Sequence, residues 1–222
     1  MNNTLDLVKF NNEKIIVTEL ERLIEKFLKK SNKLNICLSG GSSLIPTLLK
    51  LSSSSLDWSR LHFYLTDERV VEIDNTDSNY YNILKCFNKI KTNIYPLYIN
   101  NSVSYSKENY EKILNLNLNI SNNLPQFDIL VLGMGEDGHI ASIFNSDYFN
   151  TQDLIFEFTN PGVKYKRLSL SLDLLLNSEH KILLTYGNIK YNFMKNLHLN
   201  SNSTIKKFVD NSNYIKWFHY EK

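Results

Sequence analysis

The chain has 222 residues, 42% of them hydrophobic and 22% charged, with a formal net charge of +2. This composition excludes a disordered chain, a collagen-like repeat and a membrane protein, whose spans need about 20 consecutive apolar residues. The 21 lysines and 4 arginines are scattered with no clustered basic face, so nucleic acid is not an expected partner. Cys37 and Cys86 stand alone, outside any Cys-x-x-Cys pair, which fits two free thiols in a reduced compartment. Met1–Asp6 shows neither a basic nor an apolar leader region, so a cytoplasmic location is expected.

In chain order, Thr18-Glu19-Leu20-Glu21 reads as a capping box opening a helix that runs to about Lys30. Leu34–Leu38 is a buried strand, stopping at Ser39-Gly40-Gly41-Ser42; a helix follows, with Pro46 near its start. Leu61–Leu65 is the next strand and ends at Thr66-Asp67-Glu68-Arg69. Ser78–Phe87 and Ser106–Leu116 read as helices, with a strand at Ile94–Ile99 between them. The Asn115–Asn119 run reads as compositional bias.

Phe127–Leu132 is the clearest buried strand and runs into Gly133-Met134-Gly135-Glu136-Asp137-Gly138-His139. Arg167–Leu172 alternates like a half-buried strand. His180–Tyr186 is a strand, Asn188–Leu197 a helix, and Tyr214–Tyr220 a terminal strand or apolar tail. Strands alternating with helices, with no long linker, predict one α/β domain over 1–222. Its expected architecture is three-layer: a mainly parallel, Rossmann-like open sheet with helices on both faces. Ligands bind beyond the carboxyl ends of such strands. Residues 39–42, 66–69 and 133–139 all follow strands, so one sheet edge gathers them.

Only seven glycines occur, and five fall at 40–41 and 133–138. Gly40-Gly41-Ser42 suits a phosphate at a strand-to-helix turn, or a tight turn with no ligand. Asp67-Glu68-Arg69 reads as a solvated turn, or places a scarce arginine where it grips an anion. Gly133-x-Gly135-x-x-Gly138 formally fits a dinucleotide fingerprint. Against this, it lies past mid-chain and carries Glu136 and Asp137, which repel a pyrophosphate. Asp137-x-His139 instead looks like a carboxylate orienting a general base. No zinc-ligand spacing, nucleophile elbow or P-loop is present, so neither metal nor cofactor is expected.

Together these segments resemble the 6-phosphogluconolactonases. The similarity covers Ser-Gly-Gly-Ser (39–42), Asp-Glu-Arg-x-Val (67–71), Ser-Asn (78–79) and Gly-x-Gly-x-Asp-Gly-His-x-Ala-Ser-x-Phe (133–144). It continues through Arg167-Leu168-Ser169-Leu170, Gly187-x-x-Lys190 and Trp217, spanning about residues 34–218. The glucosamine-6-phosphate deaminases are similar in fold and share Asp-Gly-His-Ile-Ala. They carry Asp-Glu-Tyr in place of Asp67-Glu68-Arg69, and Phe-Asn-Glu-Pro in place of Ser142-Ile143-Phe144. Ser43-Leu44, Glu72 and Asn145 depart from the lactonase pattern, which has Thr-Pro, Pro and Pro there.

The resemblance implies hydrolysis of 6-phospho-D-glucono-1,5-lactone to 6-phospho-D-gluconate in the oxidative pentose phosphate pathway. It implies His139 as base with Asp137 fixing its tautomer. It implies that Gly40, Gly41, Ser42, Asp67, Arg69, Arg167 and Lys190 bind a small-molecule sugar phosphate. Two alternatives stay open: a dinucleotide-dependent oxidoreductase, and a sugar-phosphate-binding protein without turnover. A homo-oligomer, or fusion to or association with glucose-6-phosphate dehydrogenase, is also left open.

Overall fold

A computed structural model of the chain describes residues 4–41, 43–99 and 102–221. Ser42, one of the expected phosphate ligands, lies outside the described residues. The chain opens with β1 (Thr4–Phe10), α1 (Lys14–Leu28), β2 (Leu34–Leu38) and α2 (Ile45–Leu51). There follow β3 (Leu61–Leu65), β4 (Asp67–Arg69), α3 (Asn79–Cys86), β5 (Asn93–Ile94) and α4 (Val103–Asn117). A hairpin of β6 (Asn119–Ser121) and β7 (Leu124–Gln126) leads to β8 (Ile129–Leu132). The remaining elements are β9 (Ile155–Phe158), β10 (Arg167–Leu170), α5 (Leu172–Leu176), β11 (His180–Tyr186), α6 (Gly187–Lys195), α7 (Thr204–Asp210) and β12 (Tyr214–Tyr220).

The central sheet has seven strands in the order β1-β12-β11-β8-β2-β3-β5. Every pairing in it is parallel. This is the expected α/β architecture. β2, β3 and β8 are apolar runs, as strands covered on both faces must be. α1 packs on α2 and α2 on α3, while α6 covers β11 and β12. From β2 the chain runs one way to β3 and β5. It later returns on the other side of β2 to lay down β8, β11 and β12, so the β2/β8 junction is the topological switch point. β1 lies along β12, with Thr4 opposite Tyr214 and Phe10 opposite Tyr220.

Four expectations are corrected. The first helix begins at Lys14, because its buried stripe starts at Ile16 and Val17; Thr18 is interior, and Asn12 Oδ1 accepts from Lys14 N at 2.9 Å. The strand at 94–99 shrinks to Asn93–Ile94: Tyr95 N still donates to the Phe63 carbonyl, then Pro96 offers no N–H. Residues 67–69 are a strand, pairing antiparallel with β10 in a second sheet ordered β4-β10-β9. β10 itself is buried at Leu168, Ser169 and Leu170, so it is covered on both faces. Just after the asparagine run, β6 and β7 form a hairpin whose Asn122 and Asn123 at φ 51° and 62° suit a tight two-residue turn.

Candidate active site

Ser39, one residue past β2, ties together the three segments at the carboxyl edge. Its hydroxyl accepts from Gly133 N at 3.1 Å and lies 3.3 Å from Thr66 Oγ1. Around this tie lies a cleft of about 210 Å³. It is lined by Ser39, Gly41, Ser43, Asp67, Arg69, Asn79, Gly133, Gly135, His139, Ala141, Arg167 and Lys190, among others. A larger groove of about 660 Å³ lies between α1 and the first residues of β11 and β12, and holds none of the predicted site residues.

The 133–139 turn shapes the histidine. Gly135 N donates to the His139 carbonyl at 2.8 Å, folding the chain back on itself. A Cβ on Gly135 would lie 2.3 Å from the imidazole and 2.6 Å from Asp137 Oδ1, so glycine alone leaves room for that pair. Gly138, at φ +83°, takes the left-handed bend. His139 Nδ1 then sits 2.6 Å from Asp137 Oδ1, and His139 N donates to the same oxygen at 3.2 Å. A carboxylate only accepts, so Nδ1 carries the hydrogen and Nε2 keeps its lone pair. Burial pushes the Asp137 carboxyl up, but His139 outweighs it and holds it below its ordinary value. Asp137 itself faces an outer depression on the far side of His139, not the cleft. No helix follows Gly138; a bridge between Ile140 and Ile143 comes instead. The turn therefore lacks the helix start on which a dinucleotide fingerprint seats its pyrophosphate.

The cations fall into two groups. Lys190, near the start of α6, donates to Ser43 Oγ at 3.1 Å beside the glycine turn. Burial lowers its pKa, and Glu136 opposes the shift. Arg69 and Arg167 face each other across paired residues of β4 and β10. Arg69 Nη1 donates to the Asp77 carbonyl at 2.7 Å; Arg167 Nη1 lies 3.8 Å from Asp67 Oδ2. The Nε of each arginine is buried without a partner. Asp67 accepts from Ser142 Oγ at 2.7 Å and Thr66 Oγ1 at 2.9 Å, which makes it a buried tie as well as a wall.

Of the expected ligands, Gly41, Asp67, Arg69, Arg167, Lys190 and His139 meet in the cleft. Gly40 stands behind it, packed so closely on Asn79 that a Cβ would come within 2.3 Å. Ser43 and Asn79 line the cleft without having been singled out as ligands; both sit in motifs that the sequence displayed, Ser39–Ser43 and Ser78-Asn79. Phe144 also matters: its ring lies 4.2 Å from that of His139 and 5.6 Å from the Arg167 guanidinium. Cys37 and Cys86 are both buried free thiols. Among the described residues no helix is long and apolar enough to cross a membrane.

Comparison with known proteins supplies the lineage of this arrangement. Residues 13–207 match the family described as glucosamine-6-phosphate isomerases/6-phosphogluconolactonase. The 6-phosphogluconolactonase of Thermotoga maritima is 32% identical over 211 residues, covering 91% of each chain. That of Helicobacter pylori is 32% identical over 181 residues, 78% of this chain and 76% of the other. The crystal structure of the Thermotoga maritima enzyme superposes with a TM-score of 0.87 at 28% identity, over 99% of this chain and 100% of that one. The Trypanosoma brucei enzyme, at 22% identity and a TM-score of 0.83 over 98% and 97%, shares the fold. The chain therefore belongs to the glucosamine-6-phosphate isomerase/6-phosphogluconolactonase family.

Proposed function

We propose that this chain hydrolyses 6-phospho-D-glucono-1,5-lactone to 6-phospho-D-gluconate, with His139 as general base. One observation carries the reading: a carboxylate-oriented imidazole opens onto the same small cleft as three cations and a glycine turn. The relatives named 6-phosphogluconolactonase support it. Lys190 and the Gly41–Ser43 turn take the phosphate, since Lys190 sits at that turn with a hydroxyl as its hydrogen-bond partner. Arg167 and Arg69 then face the lactone end, where negative charge develops.

The Nε2 lone pair of His139 takes a proton from water as the water oxygen bonds to C1. The carbonyl oxygen becomes an oxyanion held by the arginine end of the cleft. Collapse re-forms the carbonyl and breaks the C1 bond to the ring oxygen, which leaves with the proton from His139. The acid product ionises, so each turnover consumes one water and releases one proton. Asp137 holds the imidazolium and its orientation throughout.

The decisive experiment follows lactone decay in a coupled assay, corrected for spontaneous hydrolysis. Rapid turnover by the native chain supports the reading. Binding of 6-phosphogluconate with no acceleration would leave a sugar-phosphate-binding protein instead.

A further inference from the structure

Glu68 is an acid buried to 1% exposure that the reaction above does not use. It sits in β4 between Asp67 and Arg69, which both line the cleft. Both of its oxygens are saturated with donors. Oε1 accepts from Arg69 N and Asn79 N, each at 2.7 Å. Oε2 accepts from Tyr80 N at 2.7 Å and Ser78 Oγ at 3.0 Å. Four donors and no acceptor call for a carboxylate in this place, even though burial pushes its pKa up to about 7.

We infer that Glu68 is a positioning residue, the buried brace that sets the phosphate-and-lactone cleft through Asn79. Its carboxylate clamps the first turn of α3 to β4, which fixes where Asn79 begins the helix. Asn79, 2% exposed, then works in two directions. Its Nδ2 donates to the Asp67 carbonyl at 2.8 Å. Its Cβ and Cγ press on Gly40, with no room for even a methyl group between them. One carboxylate thereby holds the glycine turn, the Asp67–Arg69 strand and α3 in register. His139 and Asp137 stand on a separate turn that this brace does not touch. Glu68 therefore governs binding more than the proton transfer, an inference that rests on the lactonase reading.

The test compares three variants with the native chain. Glu68→Gln puts an amide N–H against donors; Asn79→Ala cuts the relay one step later while leaving the carboxylate in place. Asp128→Asn is the control for plain loss of stability. Asp128 is a partly buried carboxylate at the opposite end of the sheet, accepting from Asn35 N at 2.7 Å. The readouts are KM and kcat on the phosphorylated lactone, and calorimetric Kd for 6-phosphogluconate. We expect both Glu68→Gln and Asn79→Ala to raise KM and Kd about tenfold or more, with kcat falling by less. Asp128→Asn should lower thermal stability and leave KM unchanged. If Glu68→Gln does not fold, Asn79→Ala decides alone. Native-like KM and Kd in a folded Glu68→Gln or Asn79→Ala protein would overturn the brace, as would an equal KM shift in Asp128→Asn. Failure of the native chain to bind 6-phosphogluconate would overturn the lactonase reading first, and the brace with it.

Discussion

The ring of Phe144 lies against that of His139, centroids 4.2 Å apart and planes tilted by 35°. Phe144 also stacks on Phe158 at 4.7 Å, so the imidazole rests on an aromatic column rooted in β9. This backing fixes the ring about the one axis that Asp137 leaves free. Replacing Phe144 with Leu should lower kcat by about tenfold, as misaimed proton transfer loses part of the 10²–10⁴ such catalysis supplies. Tyr at this position should restore most of it. Steady-state kinetics on the three proteins checks the order native, Tyr, Leu.

His139→Ala is expected to reduce kcat by about 10²-fold or more while 6-phosphogluconate still binds, because the phosphate end lies elsewhere in the cleft. Native-like turnover in this variant, after subtraction of the spontaneous rate, would remove His139 from the role. Gly135→Ala should act in the same direction for a different reason: its methyl group claims the space of the imidazole and of Asp137 Oδ1. Neither variant, nor the native chain, should bind NAD or NADP in titration calorimetry.

Asp137→Asn should lower kcat by about 10–10²-fold, since an amide holds the wrong tautomer in part of the population. It also has a pH signature. The Asp137 carboxyl titrates below its ordinary value of 3.8, so the folded state favours its charged form. That contribution is present above the unfolded-state value and fades as pH falls through the folded one. The carboxylate is 63% exposed, which limits the gain to under about 1 kcal/mol. Urea midpoints of native and variant should differ at pH 7 and draw together as pH falls below 3.8.

Unphosphorylated gluconolactone should be a much poorer substrate in kcat/KM. Charge-assisted hydrogen bonds to an anion contribute roughly 1.5–3 kcal/mol each, and Lys190 with the Gly41–Ser43 turn supplies more than one. Lys190→Met should erase most of the difference between the two lactones. Equal efficiency of the native chain on both would refute a phosphate anchor at this turn.

Tyr110, fully buried on α4, accepts at its hydroxyl from Leu65 N at 2.7 Å, one residue before the cleft segment begins. Tyr110→Phe strands that N–H and should cost about 1–3 kcal/mol. For a chain of this length each kcal/mol lowers Tm by roughly 2–4 °C, so calorimetry reads it directly.

Much of this was legible in the sequence for physical reasons that differ element by element. β8 is an unbroken apolar run ending at Gly133, and β2, β3 and β11 are mostly apolar runs ending at Ser39, Thr66 and Gly187; local composition marks such runs. β1 was not legible: it is a half-exposed edge strand, and its partner β12 lies at the far end of the chain. The β4-β10-β9 sheet was missed because its pairing is non-local; Asp67-Glu68-Arg69 looks like a polar turn until Arg167–Ser169 lies beside it. At the site, Asp137 and His139 were visible because they are two residues apart. Glu68 and Asn79 were not, since nothing local says that the Glu68 carboxylate turns toward the Asn79 N–H, or the Asn79 side chain toward the Asp67 carbonyl and Gly40.

The pairing of β1 with β12 sets an order of events. β1 precedes every other strand of the sheet, yet the strand it hydrogen-bonds, β12, follows all of them. Until β12 has followed, its backbone donors and acceptors face water or a chaperone, an open edge of the kind that recruits wrong strands. β11 waits in the same way, with β8 on one side and a vacancy for β12 on the other. A single later strand therefore fills the gap between them and closes both ladders at once.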